Sequence, residues 1–218
     1  EHPVTELITG IDLVEQMIRV AHGEHLSIKQ EDVGINGWAM ESRLYAEDPY
    51  RGFLPSIGRL TRYRPPEEIE QKVRNDTGVY EGGEVSMYYD PKIAKLCSWG
   101  PDRASAIEEM RVALDAFEVE GIGHNLPFLS AVMDHEKFCS GNITTAFIEE
   151  EYPEGFEGDV LDAPMLKKVA AAAAAMHRVV EIRRARVSGR MDNHERVVGS
   201  DWVVTLQGEN HAVKIDAD

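Results

Sequence analysis

Trp38-Ala-Met-Glu-Ser-Arg-Leu-Tyr45 reads as a β-strand whose two faces differ. Side chains on a β-strand point alternately to opposite faces. Trp38, Met40, Ser42 and Leu44 therefore share one face, and Ala39, Glu41, Arg43 and Tyr45 share the other. The first face is expected in a core. The second, with its Glu41 and Arg43, is expected to look onto solvent or a cleft.

Upstream of this strand, Ile11, Val14, Met17, Ile18 and Ala21 recur at helical spacing before Gly23, which predicts a helix over 10–22. Leu26-Ser-Ile28 reads as a short strand. Downstream, Arg59 to Tyr63, Val79-Tyr80 and Lys92 to Trp99 read as strands punctuated by Pro and Gly. A helix follows, with Asp102 as N-cap, Ile107, Met110, Leu114 and Phe117 as its stripe and Gly121 as its stop. Asn125 is expected to cap another helix with Leu129 and Val132 inward, and Thr144 to Glu150 reads as a helical turn.

Composition shifts at Pro153-Glu-Gly-Phe-Glu-Gly158, which predicts a linker. Beyond it, Ala163 to Arg186 is the strongest helix signal in the chain. It contains an unbroken alanine run from Ala170 to Ala175 and ends on Arg183, Arg184 and Arg186, suited to the helix dipole. Trp202 to Gln207 and His211 to Asp216 flank a Gly208-Glu-Asn210 turn and read as a β-hairpin. A lone hairpin is marginal in water, so further strands are expected to accompany it. The expected class is α+β.

The 218 residues suffice for one large or two small domains, and 43% hydrophobic with 28% charged residues is an ordinary globular mix. A net charge of -16 with no basic block argues against nucleic acid and anionic membrane as partners. The longest apolar stretch, Val169 to Met176, is too short to span a bilayer. Two cysteines, Cys97 and Cys139, suggest no disulfide framework and so a reducing compartment, cytosol or mitochondrial matrix.

No zinc pattern, Walker loop, dinucleotide fingerprint or nucleophile elbow occurs. Tyr80-Glu-Gly-Gly-Glu84 lacks the strand-to-helix context of a phosphate loop and reads as a turn. By residue type alone, Arg43 is a surface arginine or the partner of Glu41.

The chain opens on Glu1-His-Pro-Val-Thr-Glu6 and runs into Thr9-Gly-Ile-Asp12. Met40-Glu-Ser-Arg-Leu-Tyr-Ala-Glu-Asp-Pro49, Phe53-Leu-Pro-Ser56, Tyr88-Tyr-Asp-Pro-Lys92 and Gly121-Ile-Gly-His-Asn125 follow in order. With these five motifs the chain resembles the biotin carboxylase family. The segments Ile143 to Phe156 and Met176 onward are similar to the propionyl-CoA carboxylase α-subunit branch of that family. Alternatives are a methylcrotonyl-CoA or acetyl-CoA carboxylase α subunit, or a non-catalytic scaffold that kept the fold. Only the segment after residue 143 separates the acyl-CoA branches.

The resemblance implies residues 1–152 as the C-terminal subdomain of an ATP-grasp biotin carboxylase, an antiparallel sheet with helices. It implies 153–162 as a linker and 163–218 as the start of a BT domain, where a long helix is wrapped by an antiparallel barrel. It implies that ATP phosphorylates bicarbonate, and that the carboxyphosphate formed releases CO2 for attack by biotin. Glu1 then matches the general base that deprotonates bicarbonate. Arg43 matches the residue that holds the anions and stabilises charge on biotin's ureido oxygen. Bicarbonate and biotin are thus expected at Glu1 and Arg43, and the ATP adenine near Thr145 and Ala146. The Mg2+ ligands, the nucleotide lid and the biotinyl domain with its Ala-Met-Lys-Met signature are expected outside residues 1–218. This piece by itself is then expected to be inactive. The implied partners are a carboxyltransferase β subunit, met through the BT domain, and the biotinyl domain. Asp90 and Arg74 match a dimer contact of the stand-alone bacterial enzyme, which this branch need not use.

Overall fold

The computed structural model describes residues 2–86, 88–158, 161–188 and 196–215. The chain divides into two compact units, Glu1–Gly158 and Asp159–Asp218.

The first unit opens with α1 (Pro3–Thr9) and α2 (Leu13–Ala21). α2 falls within the helix expected over 10–22 and starts later than expected, whereas α1 forms where the periodicity predicts no helix. Gly10 is instead the left-handed C-cap of α1, at φ 70°, and Asp12 caps α2 by accepting from Glu15 N at 2.8 Å. A glycine stop followed by an aspartate start separates the two helices. Leu26-Ser-Ile28 forms no strand; a short 3-10 turn at Gln30–Asp32 follows it.

The strands are β1 (Trp38–Tyr45), β2 (Glu47–Asp48), β3 (Leu54–Pro55), β4 (Gly58–Arg59), β5 (Arg62–Arg64), β6 (Val73–Thr77), β7 (Glu84–Val85) and β8 (Lys92–Gly100). Val79-Tyr80 is not among them. After β8 come α3 (Arg103–Asp115), β9 (Glu118–Glu120), α4 (Leu126–Asp134), α5 (Glu136–Ser140) and α6 (Phe147–Glu151). The main sheet is antiparallel in the order β1-β8-β6, and the remaining strands pair in twos: β2 with β3, β4 with β7, β5 with β9.

One face of the main sheet makes the core. Met40, Ser42 and Leu44 are buried from β1, and Ala94, Leu96 and Ser98 from β8. Trp38, expected on that face, is 49% exposed; it lies opposite Gly100, which has no side chain to cover it. Helix α3 lays Ala106, Ile107, Met110 and Leu114 on the sheet. It comes close enough that Ser98 Oγ donates to Ala106 O at 2.7 Å. A Cβ on Gly100 would stand 2.6 Å from Ala106 N, so only glycine permits this approach. Asp102 caps α3 as expected, accepting from Ser105 N at 2.8 Å. Gly121 does not end this helix. The helix stops at Asp115 and β9 intervenes, so Phe117 packs edge-on to Tyr63 from the connection.

In the second unit, α7 (Ala163–Ala185) is capped by Asp162, and β10 (Asp201–Leu206) pairs with β11 (Glu209–Lys214) as an antiparallel hairpin. Trp202 sets its ring edge-on to His177 of α7, with centroids 5.4 Å apart. Asp216, read as the hairpin's end, lies outside the described residues. Among the described residues no helix is long and apolar enough to cross a membrane.

Candidate active site

Four of the five motifs singled out in the sequence meet at the end of β1. Ala46 N donates to Pro91 O at 2.8 Å, and Ser56 N donates to Ala46 O at 2.8 Å. Gly123 N donates to Ser56 Oγ at 2.9 Å. Three segments far apart in sequence are thereby tied to the Met40–Pro49 segment. Gly121 turns into this junction at φ 106°, where a Cβ would stand 2.2 Å from Arg59 O. No other residue can take that position without moving the backbone.

Asn125 completes the junction in a way its expected role did not include. Its side chain makes no cap on α4. The carboxamide Nδ2 donates to Arg43 O at 3.1 Å, and Tyr45 N donates to Asn125 Oδ1 at 2.9 Å. Asn125 N also donates to Tyr45 O at 3.2 Å.

Arg43 stands on the face predicted for it. Its Nε donates to Glu41 Oε1 at 2.5 Å; the Glu41 side chain is 14% exposed and that of Arg43 is 57% exposed. The hydrogen bond to Glu41, and then one to Tyr45, raise the guanidinium pKa further, so Arg43 is a fixed cation. A cavity of about 390 Å³ opens beside it. Glu41, Arg43, Tyr45 and Asn125 form one end, Phe128, Leu129 and Val132 of α4 a wall, and Thr144, Thr145, Phe147 and Ile148 the far side. One charged end and apolar walls suit a ligand with an anionic part and a flat ring.

The far side is pinned as well. Ala146 N donates to Thr144 Oγ1 at 3.1 Å, and Phe147 is buried. Glu151, at the end of α6, pairs with Lys137 and, at 3.2 Å, with His135 Nε2. The helical turn is Phe147–Glu151, later than the Thr144 to Glu150 expected, and Thr144 and Thr145 line the cavity from just before it. Arg43 and Thr145 therefore line one cavity, with Ala146 next along the chain. Glu1 lies outside the described residues. Glu6, which closes the opening motif, accepts from Leu13 N at 2.8 Å and from Arg74 Nη1 at 2.5 Å. Arg74 also donates to Asp76 at 2.8 Å, and Asp90 accepts from Lys92 N at 3.2 Å.

Other chemistries find little support. Cys97 is buried and its thiol is pushed up to about 12 by that burial, so it is no nucleophile. Among the described residues no cluster of three His, Cys, Asp or Glu side chains is placed to hold a metal ion.

Residues 41–150 match the biotin carboxylase C-terminal domain, just over half the chain. The chain belongs to the biotin carboxylase family. Residues 169–218 match the propionyl-coenzyme A carboxylase BT domain, and residues 1–29 the carbamoyl-phosphate synthase L chain ATP binding domain. The propionyl-CoA carboxylase alpha chain of Ruegeria pomeroyi is 72% identical over 236 residues, covering 100% of this chain and 35% of the relative. The mitochondrial propionyl-CoA carboxylase alpha chain of Mus musculus is 46% identical over 221 residues, covering 98% of this chain and 30% of the relative. The chain thus spans about a third of the length of the curated relatives it matches. Among solved structures, the biotin carboxylase domain dimer of Hydrogenobacter thermophilus 2-oxoglutarate carboxylase, in complex with MgADP, ADP and bicarbonate, is 43% identical with a TM-score of 0.67. That similarity covers 69% of this chain and 33% of the other.

Proposed function

We propose that this chain is part of the α subunit of a propionyl-CoA carboxylase, and that its first unit serves the ATP-dependent carboxylation of biotin with bicarbonate. ATP supplies the phosphoryl group that activates bicarbonate, and biotin accepts the carboxyl group. The observation that carries the reading is the Arg43 guanidinium, backed by Glu41, at the charged end of a cavity whose far side holds Thr145.

Arg43 holds bicarbonate through its planar fork and stays charged throughout, so it stabilises negative charge building on the reacting oxygens. Glu1 takes the proton from bicarbonate. The adenine lies by Thr145 and Ala146, against the apolar wall of α4. The Mg2+ ligands belong to other parts of the subunit.

Residues 1–152 form the C-terminal subdomain of the carboxylase, 153–162 the linker and 163–218 the start of the BT domain. That last part meets the carboxyltransferase β subunit, and the carboxylated biotin travels there on its own domain to make methylmalonyl-CoA. The match of residues 169–218 to a propionyl-coenzyme A carboxylase BT domain supports this choice over the methylcrotonyl-CoA and acetyl-CoA branches. The acidity of the chain supports neither nucleic acid nor anionic membrane as partner, and the compartment proposed is cytosol or mitochondrial matrix.

The test is the full-length α subunit assembled with its β subunit and offered propionyl-CoA, methylcrotonyl-CoA and acetyl-CoA with labelled bicarbonate and ATP. Label in propionyl-CoA above the other two supports the proposal. Preference for either rival moves the chain to that branch, and no ATP-dependent label in free biotin, offered in a separate reaction, overturns the catalytic reading.

A further inference from the structure

Asn125 lies 82 residues from Arg43 and is 6% exposed, yet its side chain contacts the main chain on both sides of Leu44. β1 is an edge strand of its sheet, with β8 on one side. Edge strands carry outward main-chain groups that a neighbouring strand would otherwise pair. Here Asn125 takes that place over a short stretch. One carboxamide carries a donor and an acceptor side by side, and these meet the carbonyl of Arg43 and the amide of Tyr45. Its own N–H adds a bond to the Tyr45 carbonyl. Aspartate offers no donor and alanine neither group. The loop that presents Asn125 is itself held by Ser56 Oγ at Gly123 and by the Gly121 turn.

We infer that Asn125 is a positioning residue for Arg43. By bracketing β1 at the two ends of the Arg43–Tyr45 step, it sets where the guanidinium stands at the mouth of the cavity. The inference rests on the reading that Arg43 acts on bicarbonate and biotin. An anion-binding fork displaced by about an ångström loses much of its effect on the transition state.

The experiment uses the full-length α subunit with free biotin as acceptor, varying bicarbonate and ATP. Asn125→Asp, Arg43→Ala and the double variant are compared with the parent. Asn125→Asp is expected to lower kcat by about tenfold or more, with the KM for ATP within about twofold. Added to Arg43→Ala, it is expected to cost less than about twofold further, because both changes remove one effect. An equal loss on both backgrounds, or Asn125→Asp within about twofold of the parent, overturns the inference and leaves the Arg43 reading standing. Arg43→Ala at the parental rate overturns both. Amide hydrogen exchange on the unmodified protein adds a measurement that needs no variant. Tyr45 N–H is expected to exchange as slowly as β1 amides bonded to β8, and fast exchange there overturns the bracket.

Discussion

Glu41 and Arg43 are joined side chain to side chain along one face of β1, with the carboxylate largely buried and the guanidinium open to the cavity. The buried member orients the open one. A charged fork held in this way stabilises developing negative charge without reorganising.

In the full-length enzyme, Arg43→Ala is expected to slow biotin carboxylation by roughly a hundredfold or more, about 3 kcal/mol, while the KM for ATP changes little. Arg43→Lys is expected to fall between, since an ammonium keeps the charge and loses the fork. Glu41→Gln is expected to shift stability by less than about 1 kcal/mol, because the exposed partner is screened by water. Steady-state kinetics and thermal melts check all three. A loss under about threefold for Arg43→Ala contradicts the role.

Cys97 carries a pH dependence. Its folded pKa of about 12 lies above the unfolded thiol value of roughly 8.5. The folded state thus keeps a proton that the unfolded state gives up. Its contribution is whole below pH about 8.5 and declines as pH rises from there towards 12. Melts of the 1–218 polypeptide across this window are expected to show a falling midpoint that flattens in Cys97→Ala. Thiol labelling at neutral pH is expected to mark the exposed Cys139 first and Cys97 only on unfolding.

The alanine run is not uniform. Ala170 and Ala174, one helical turn apart, are buried, whereas Ala171, Ala172 and Ala175 are exposed. Ala170→Trp and Ala174→Trp are expected to cost about 1–3 kcal/mol by overpacking against this unit's own interior. The same change at Ala171, Ala172 and Ala175 is expected to leave the melt unchanged. Gel filtration of full-length α with β then tests docking. An exposed position whose tryptophan blocks assembly without lowering stability marks a partner-facing side of α7, and normal assembly of every exposed variant denies it one.

Glu181 is a buried carboxylate of the second unit. Arg184 Nη1 donates to it at 2.8 Å, and Arg196 pairs with its other oxygen. The hydrogen bond from Arg184, then the charges of Arg196 and Arg184, hold its pKa below the ordinary glutamate value. A depressed folded pKa means stabilisation that is present above pH about 4.3 and lost as pH falls through the folded value. Amide exchange across α7 is expected to accelerate in acid below that point in the parent. In Glu181→Gln the protection is expected to be weaker at neutral pH and nearly flat with acid.

Elements whose signals are local were legible. The two unlike faces of Trp38 to Tyr45 marked β1, Asp102 announced α3, and the alanine run marked α7. Where a local signal had two meanings, the reading went astray. Asn125 before an apolar run is a fair cap, but the same carboxamide can close a strand edge instead. Leu26-Ser-Ile28 has strand-like residues and no neighbour to pair with. Glu41 stands on the face expected to meet solvent or a cleft, yet its side chain is largely buried, which depends on what packs around it.

The sequence by itself determined the family, the position of Arg43 on its face, the long alanine helix and the hairpin beyond it. Each of these is written in residue types at short, regular spacing, or in motifs that keep their order along the chain. Only the tertiary structure decided that Ser56, Pro91, Gly123 and Asn125 meet at the end of β1, and that Thr145 faces the same cavity as Arg43. Hydrogen bonds between residues as distant as Arg43 and Asn125 leave no periodicity to read. Their partners are chosen by the packing of the sheet, and not by anything local to either residue.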